Sequence, residues 1–160
     1  AQLVTDYPND YYNIISMHFR LGDYKTLQDY HPVLPYEYYR NSLRYMLNTT
    51  RKENWTILYF CEKDDNEEVF ATIKQLQTEF PTLVFIKQDD GVEDWKQMLI
   101  MSVCEHNIIA NSSFSWWSAY FNTNVDKIVC YPEIWFGPAL KEKNNTKDLF
   151  PKEWTKINFL

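Results

Sequence analysis

The sequence predicts an α/β fold, a doubly wound parallel sheet with flanking helices. Three observations predict it. Short apolar runs of strand type recur along the chain, helical stripes of apolar residues fill the intervals, and no repeat or low-complexity tract interrupts the alternation. Strict alternation of this kind feeds parallel strands through right-handed crossovers. With 160 residues, the chain has the length of one domain that buries about 70% of its unfolded surface. Hydrophobic residues at 45% and aromatics at 18% supply a core and exclude disorder.

Each element has its own signal. The first strand covers about 12–18, where Ile14-Ile15-Ser16-Met17 is apolar and breaks into a loop at Gly22. Pro35 suits the first turn of a helix in which Tyr36, Tyr39, Leu43, Met46 and Leu47 fall at helical spacing. A strand at 55–60 follows, then Asp64 or Asp65 caps a helix with Val69, Phe70, Ile73 and Leu76 inward, which Pro81 stops. Beyond a strand at 82–86, a helix from about Val92 to Cys104 buries Trp95, Met98, Leu99 and Ile100. Strands at 106–110 and 126–131 flank a helix that carries Trp117, Tyr120 and Phe121. After Pro132 the pattern is less regular, and Trp135 and Trp154 are expected to dock the tail onto the sheet.

Charge and cysteine content exclude several functions. A net charge of −6 argues against a nucleic-acid surface. A phosphate ligand therefore needs a local positive site, and Arg20 is the obvious one. No apolar run reaches the ~20 residues of a membrane span and no signal peptide opens the chain, which favours a cytoplasmic location. Cys61, Cys104 and Cys130 lie in apolar contexts, at spacings that fit no zinc pattern, so buried free thiols and no metal are expected. Sequons begin at Asn48, Asn54, Asn111 and Asn144, but such triplets arise by chance and do not establish secretion.

Two segments carry chemistry. Asn111-Ser112-Ser113-Phe114-Ser115-Trp116-Trp117 opens a helix directly after an apolar strand, with Ser112 or Ser113 as N-cap. Free N–H groups and the helix dipole at such an end favour a phosphate, although a plain capped helix has the same sequence. Trp116 and Trp117 read as core anchors. The second segment, His18-Phe19-Arg20-Leu21-Gly22-Asp23, leaves the first strand at the edge where ligands sit in parallel sheets. Arg20 offers a planar fork suited to a diphosphate, or else a surface ion pair with Asp23. His18 hydrogen-bonds a ligand or braces the loop. Asp23 orients Arg20 or the loop backbone, or acts directly in acid–base chemistry. Glu62, at the end of the strand over 55–60, shares this rim within reach of a nucleotide hydroxyl.

Together these segments resemble family 11 glycosyltransferases, alpha-1,2-fucosyltransferases that use GDP-fucose. His18 to Asp23 is similar to the family's H-x-R-x-G-D motif. Met98-Leu99-Ile100-Met101, Cys104, His106 and Ile108 to Trp117 resemble its C-terminal signature, and Trp135-Phe136-Gly137 recurs downstream. The resemblance implies one half of a two-domain GT-B architecture, residues 1–160 forming a single GDP-sugar-binding domain. The N-terminal half, with its glycine-rich opening motif, is then absent from this chain, which has only 3 glycines. It implies catalytic roles for Arg20, His18 and Asp23, with Arg20 on the departing diphosphate. Donor contacts are implied for Asn111, Ser112, Ser113, Phe114 and Ser115, with Glu62 beside them. The implied reaction transfers L-fucose from GDP-fucose to a glycan hydroxyl, in an alpha-1,2 linkage to galactose, with inversion and with neither metal nor cofactor. A non-catalytic nucleotide-sugar-binding or scaffold module fits the same motifs. The sequence departs from the family pattern at Leu21, where many members carry a second arginine, and at Gln97, where an acidic residue is common.

Overall fold

The computed structural model describes residues 11–160. Strands β1 (Ile14–His18), β2 (Thr56–Phe60), β3 (Val84–Lys87), β4 (His106–Ile108), β5 (Val129–Pro132) and β6 (Thr155–Ile157) form one sheet in the order β3-β2-β1-β4-β5-β6. Every pairing is parallel, which gives the Rossmann-like arrangement that the alternation predicts. Helices α1 (Tyr36–Thr50), α2 (Asn66–Glu79), α3 (Asp94–Val103), α4 (Ser113–Phe121) and the short α5 (Pro138–Lys141) connect them.

Side-chain alternation divides the core between the two faces of the sheet. Ile15, Met17, Ile57 and Tyr59 pack with Tyr38, Leu43 and Met46 of α1 and with Val69, Ile73 and Leu76 of α2. Leu58 and Phe60, of opposite parity, join Ile100 and Met101 of α3 and Phe114 of α4. Trp154 closes a further cluster with Ile109, Ala119 and Val129, so the tail does dock through this residue, with Trp135 half-buried beside it. The tail also adds β6 to the sheet edge, a three-residue strand too short to show in the periodicity.

Buried polar ties hold β4, the strand beside which the strand order reverses. Asn107 donates to the Ser16 hydroxyl at 2.7 Å and to the Met101 carbonyl at 2.8 Å, while its own oxygen accepts from Asn122 at 2.8 Å. From the other face, the fully buried Tyr38 hydroxyl donates to the Ile109 carbonyl at 2.5 Å and lies 3.1 Å from the Cys130 carbonyl.

The aromatic expectations need correction. Phe70 is 47% exposed, under the Lys74 ammonium 4.8 Å from its ring centroid, because α2 turns Val69, Ile73 and Leu76 inward instead. Trp95 lies in the first turn of α3 and is 51% exposed; the fully buried side of that helix is Ile100, Met101 and Ser102. Trp117 is 46% exposed, because α4 seats small residues, Ser115, Ser118 and Ala119, against its neighbours. Trp116 is half-buried and stacks on Tyr120 at 5.1 Å. Nor does Asp65 cap α2 through its side chain. Its buried carboxylate accepts from the Gly22 N–H at 2.9 Å and pairs with Lys25 at 2.9 Å.

Tyr38→Phe removes the hydroxyl that α1 gives to the β4 and β5 ends and keeps the ring. The expected outcome is a loss of about 1–2 kcal/mol in urea denaturation, with an unchanged m-value.

Candidate active site

β1 pairs with β2 on one side and β4 on the other, so the loops after β1 and β4 diverge and leave a crevice between them. A cleft of about 510 Å³ opens there, lined by His18, Arg20, Tyr24, Glu62, Ser112, Ser113 and Phe114 among others. The Phe19 N–H donates to the Phe60 carbonyl at 2.9 Å, which carries the strand pairing one residue past β1. Phe19 then stacks on Tyr39 at 4.1 Å in the core, and strand parity turns His18 and Arg20 into the cleft.

The Arg20 guanidinium is held on three sides. It pairs with Asp23 at 2.5 Å and with Glu62, and lies over the Tyr24 ring at 4.9 Å. Burial works against its charge, but the carboxylates of Glu62 and Asp23 outweigh that and hold its pKa above the ordinary arginine value. Gly22 makes the close approach possible. With φ at +47°, it leaves room where a Cβ would stand 3.2 Å from Arg20 Nη1 and 3.3 Å from Glu62 Oε2. Asp23 and Glu62 thus meet the arginine itself in this structure.

His18 sits at the floor, 7% exposed, with Nδ1 unpartnered and its ring 5.6 Å from that of Phe114. Burial, with the Arg20 charge second, lowers its pKa to about 3, so at neutral pH it is an uncharged hydrogen-bonding group. Ser112 is the N-cap of α4, its hydroxyl accepting from the Phe114 N–H at 3.3 Å, which leaves Ser113 exposed at the first helical position. Asn111 and Ser115 do not line the cleft. The Asn111 amide donates to the Pro32 and Trp135 carbonyls, and the Ser115 hydroxyl bonds back to the Ala110 backbone, so both brace the strand-to-helix corner from behind.

Sequence reasoning passed over Tyr24, Lys63, Asp90 and Asp94, which also line the cleft. Tyr24 had a usable signal, its place directly after the motif aspartate. Its hydroxyl donates to the Asn111 carbonyl at 3.1 Å and so ties the arginine loop to the serine corner. The other three come from loops and helix starts whose side chains only the tertiary fold gathers. At the two departures from the family pattern, Leu21 is buried in the core and Gln97 lines the cleft with its amide donating to the Val92 carbonyl. Burial pushes the Cys61 thiol, which also lines the cleft, up to about 11, so it is protonated at neutral pH; Cys104 and Cys130 are buried free thiols as well. Among the described residues, no group of three metal-ligating side chains is placed to hold an ion, and no helix is long and apolar enough to cross a membrane.

Fold and cleft thus define a parallel α/β fold with a polar cleft at the strand-order reversal. The Glycosyl transferase family 11 profile matches residues 2–158, and the chain belongs to that family. It is 35% identical over 134 residues to the O-antigen biosynthesis glycosyltransferase WbnK of Escherichia coli, covering 82% of this chain and 42% of that protein. To an alpha-1,2-colitosyltransferase of Escherichia coli it is 32% identical over 149 residues, covering 91% of this chain and 48% of that protein. The chain therefore spans somewhat under half the length of these relatives. No solved structure matches it significantly.

Two outcomes are expected at this site. The folded chain resists protonating His18 while the unfolded chain protonates it near 6.5, so its stability contribution is intact above that pH and is lost as pH falls toward about 3. Relative to His18→Gln, the wild type is expected to lose about 1.4 kcal/mol per pH unit between those limits, measured by urea denaturation across pH. Gly22→Ala forces a side chain into a left-handed position and crowds the Arg20–Glu62 pair; a loss of about 1–2 kcal/mol in the same assay is expected.

Proposed function

We propose that this chain is the donor-binding domain of an inverting fucosyltransferase of GT-B architecture, which transfers L-fucose from GDP-fucose to a glycan hydroxyl in an alpha-1,2 linkage. The observation that carries the proposal is the sharing of one cleft by the Arg20 guanidinium and the N-terminus of α4. Family membership supports transfer of a sugar, and the name of the colitosyl relative supports the linkage.

In this reading the diphosphate lies between Arg20 and the Ser113 end of α4, where unsatisfied N–H groups and the helix dipole favour negative charge. An acceptor hydroxyl oxygen forms the new bond to C1 of fucose as the bond from C1 to the β-phosphate oxygen breaks. The electron pair of that bond stays with GDP, and the hydroxyl proton passes to a base on the acceptor side. Arg20 stabilises the charge that grows on the departing oxygen, and its fork can meet two oxygens at once. Asp23 and Glu62 keep the guanidinium in place until the phosphates replace them. Neutral His18 offers an unpartnered nitrogen to the donor without adding charge. No metal is required, because Arg20 and the helix end do the work of a cation.

Thermal melting tests the donor. GDP at a hundredfold excess over its Kd is expected to add about 2.7 kcal/mol of stability, with UDP adding little and chelator changing nothing. A melting curve indifferent to millimolar GDP would sink the reading. A panel of GDP-sugars tests the fucose assignment in the same assay.

The two serines have separable effects. Ser113→Ala is expected to weaken GDP by about 1 kcal/mol, roughly fivefold. Ser112→Ala is expected to act on fold stability, by about 0.5–2 kcal/mol. In a two-domain enzyme, Arg20→Lys is expected to lower kcat by about a hundredfold with little change in donor KM, since a point charge cannot replace the fork at the departing oxygen. Turnover at the wild-type rate would return Arg20 to the role of a structural partner for Asp23.

A further inference from the structure

A second cleft, of about 580 Å³, opens at the same edge of the sheet, directly beyond β5. Trp135 and Phe136 supply its aromatic surface, both half-buried. A partition of three aromatic rings runs between it and the first cleft. Tyr24, which lines the first, stacks on His31 at 4.9 Å, and His31 lies 6.2 Å from Phe136, which lines the second. Asn111 fastens this partition, accepting the Tyr24 hydroxyl on its carbonyl and donating to the Trp135 carbonyl at 3.3 Å. Gly137 in its wall packs so tightly on the loop at 28–29 that a Cβ there would clash with the Asp29 carbonyl.

We propose that this second cleft seats a neutral sugar ring of the acceptor glycan, next to the donor cleft. The inference rests on the transferase reading above. Its size is that of a small-ligand site, and aromatic walls with a few polar groups match the alternating C–H faces and hydroxyl edges of a pyranose. Charge narrows the class further. Lys141 stands at the rim with Glu142 and Glu133, and Glu133 is already occupied in accepting the Phe159 N–H at 2.6 Å. Neither sign dominates, so the cleft suits an uncharged polyhydroxyl ligand better than a phosphate or a sugar acid. Transfer also requires the acceptor to lie within reach of the donor, and the row of Tyr24, His31 and Phe136 rings leads from one cleft to the other.

Saturation-transfer NMR of the whole chain with lactose as the probe tests this, with and without GDP. Saturable binding in the millimolar range is expected, undiminished by GDP and weakened roughly tenfold by Trp135→Leu. Trp135 also packs edge-on against Phe150 at 5.1 Å, so Phe136→Leu serves as a second variant should the first fail to fold. The GDP melting shift, which reports on the other cleft, checks that each variant is intact. Absence of lactose binding, or binding that neither variant weakens, would overturn the inference. Where GDP still stabilises the chain, that failure leaves the donor reading standing. Self-association that Phe136→Leu abolishes would assign the cleft to a second copy of the chain and overturn it equally.

Discussion

The site depends on β1 being paired on both sides. Because β2 and β4 flank it in parallel, the chain leaves the sheet in opposite directions after β1 and after β4. Register does the rest. Met17 stands level with Ile108, so the strands end at nearly the same height, and Arg20 and Ser112 emerge into one crevice from distant parts of the sequence. Asn107 and Tyr38 protect that register from the two faces of the sheet. A slip of β4 would leave the buried Asn107 amide without partners, a cost of about 1–3 kcal/mol for each orphaned group.

The arginine is held by interactions weak enough to exchange. Asp23 and Glu62 are about 60% exposed in their side chains, at 60% and 61%, whereas that of Arg20 is 23% exposed. Exposed ion pairs of this kind contribute only about 0–1 kcal/mol, since water solvates the carboxylates nearly as well as the guanidinium does. They orient the side chain without trapping it. Under the proposed function a diphosphate would bring more charge and two-pronged geometry, and both displaced carboxylates would swing into solvent already within reach. The face of the guanidinium lies on Tyr24, a contact that such an exchange of carboxylates for phosphates would leave in place. Under the proposed function, a chain of net charge −6 would hold its anion by a local site and not by an overall field.

Much of this was legible in the sequence, and the rest was not for identifiable reasons. Apolar runs located β1, β2, β4 and β5 because a strand largely buried on both faces has few other compositions. They located β3 because it stays apolar although Val84 and Ile86 are exposed, whereas β6 is an edge strand of three residues. The Ser112 cap was legible because a cap is local chemistry. Burial of the aromatics was not. Trp95 and Trp117 match a helical period, yet which side of a helix faces the sheet is decided by the fit of neighbours, and α4 approaches through Ser115, Ser118 and Ala119. In the site, Arg20 and His18 followed from a motif and from strand parity. That Glu62 touches Arg20 and not open solvent required the pairing of β1 with β2, a contact across 42 residues that no local pattern encodes.

The departure at position 21 changes how the cleft could stabilise a leaving diphosphate. Leu21, past the end of β1, is 7% exposed and packs in the main core, away from the cleft. A second guanidinium there would have to leave the core to be useful, and a buried leucine takes its place at a gain in apolar packing. His18 adds no positive charge, since burial keeps it neutral through the physiological range. Under the proposed function, formal positive charge near the phosphates would therefore come from Arg20, with Lys63 also lining the cleft. Under the proposed function the remaining stabilisation comes from dipoles, namely the N–H groups that open α4, the Ser113 hydroxyl and the His18 imidazole. Such donors act in fixed positions and need no reorganisation as charge develops, which is where preorganised hydrogen bonds outperform water. A cleft built this way concentrates its dependence on one side chain, and the tight packing of Gly22 against Arg20 and Glu62 keeps that side chain where the charge would appear.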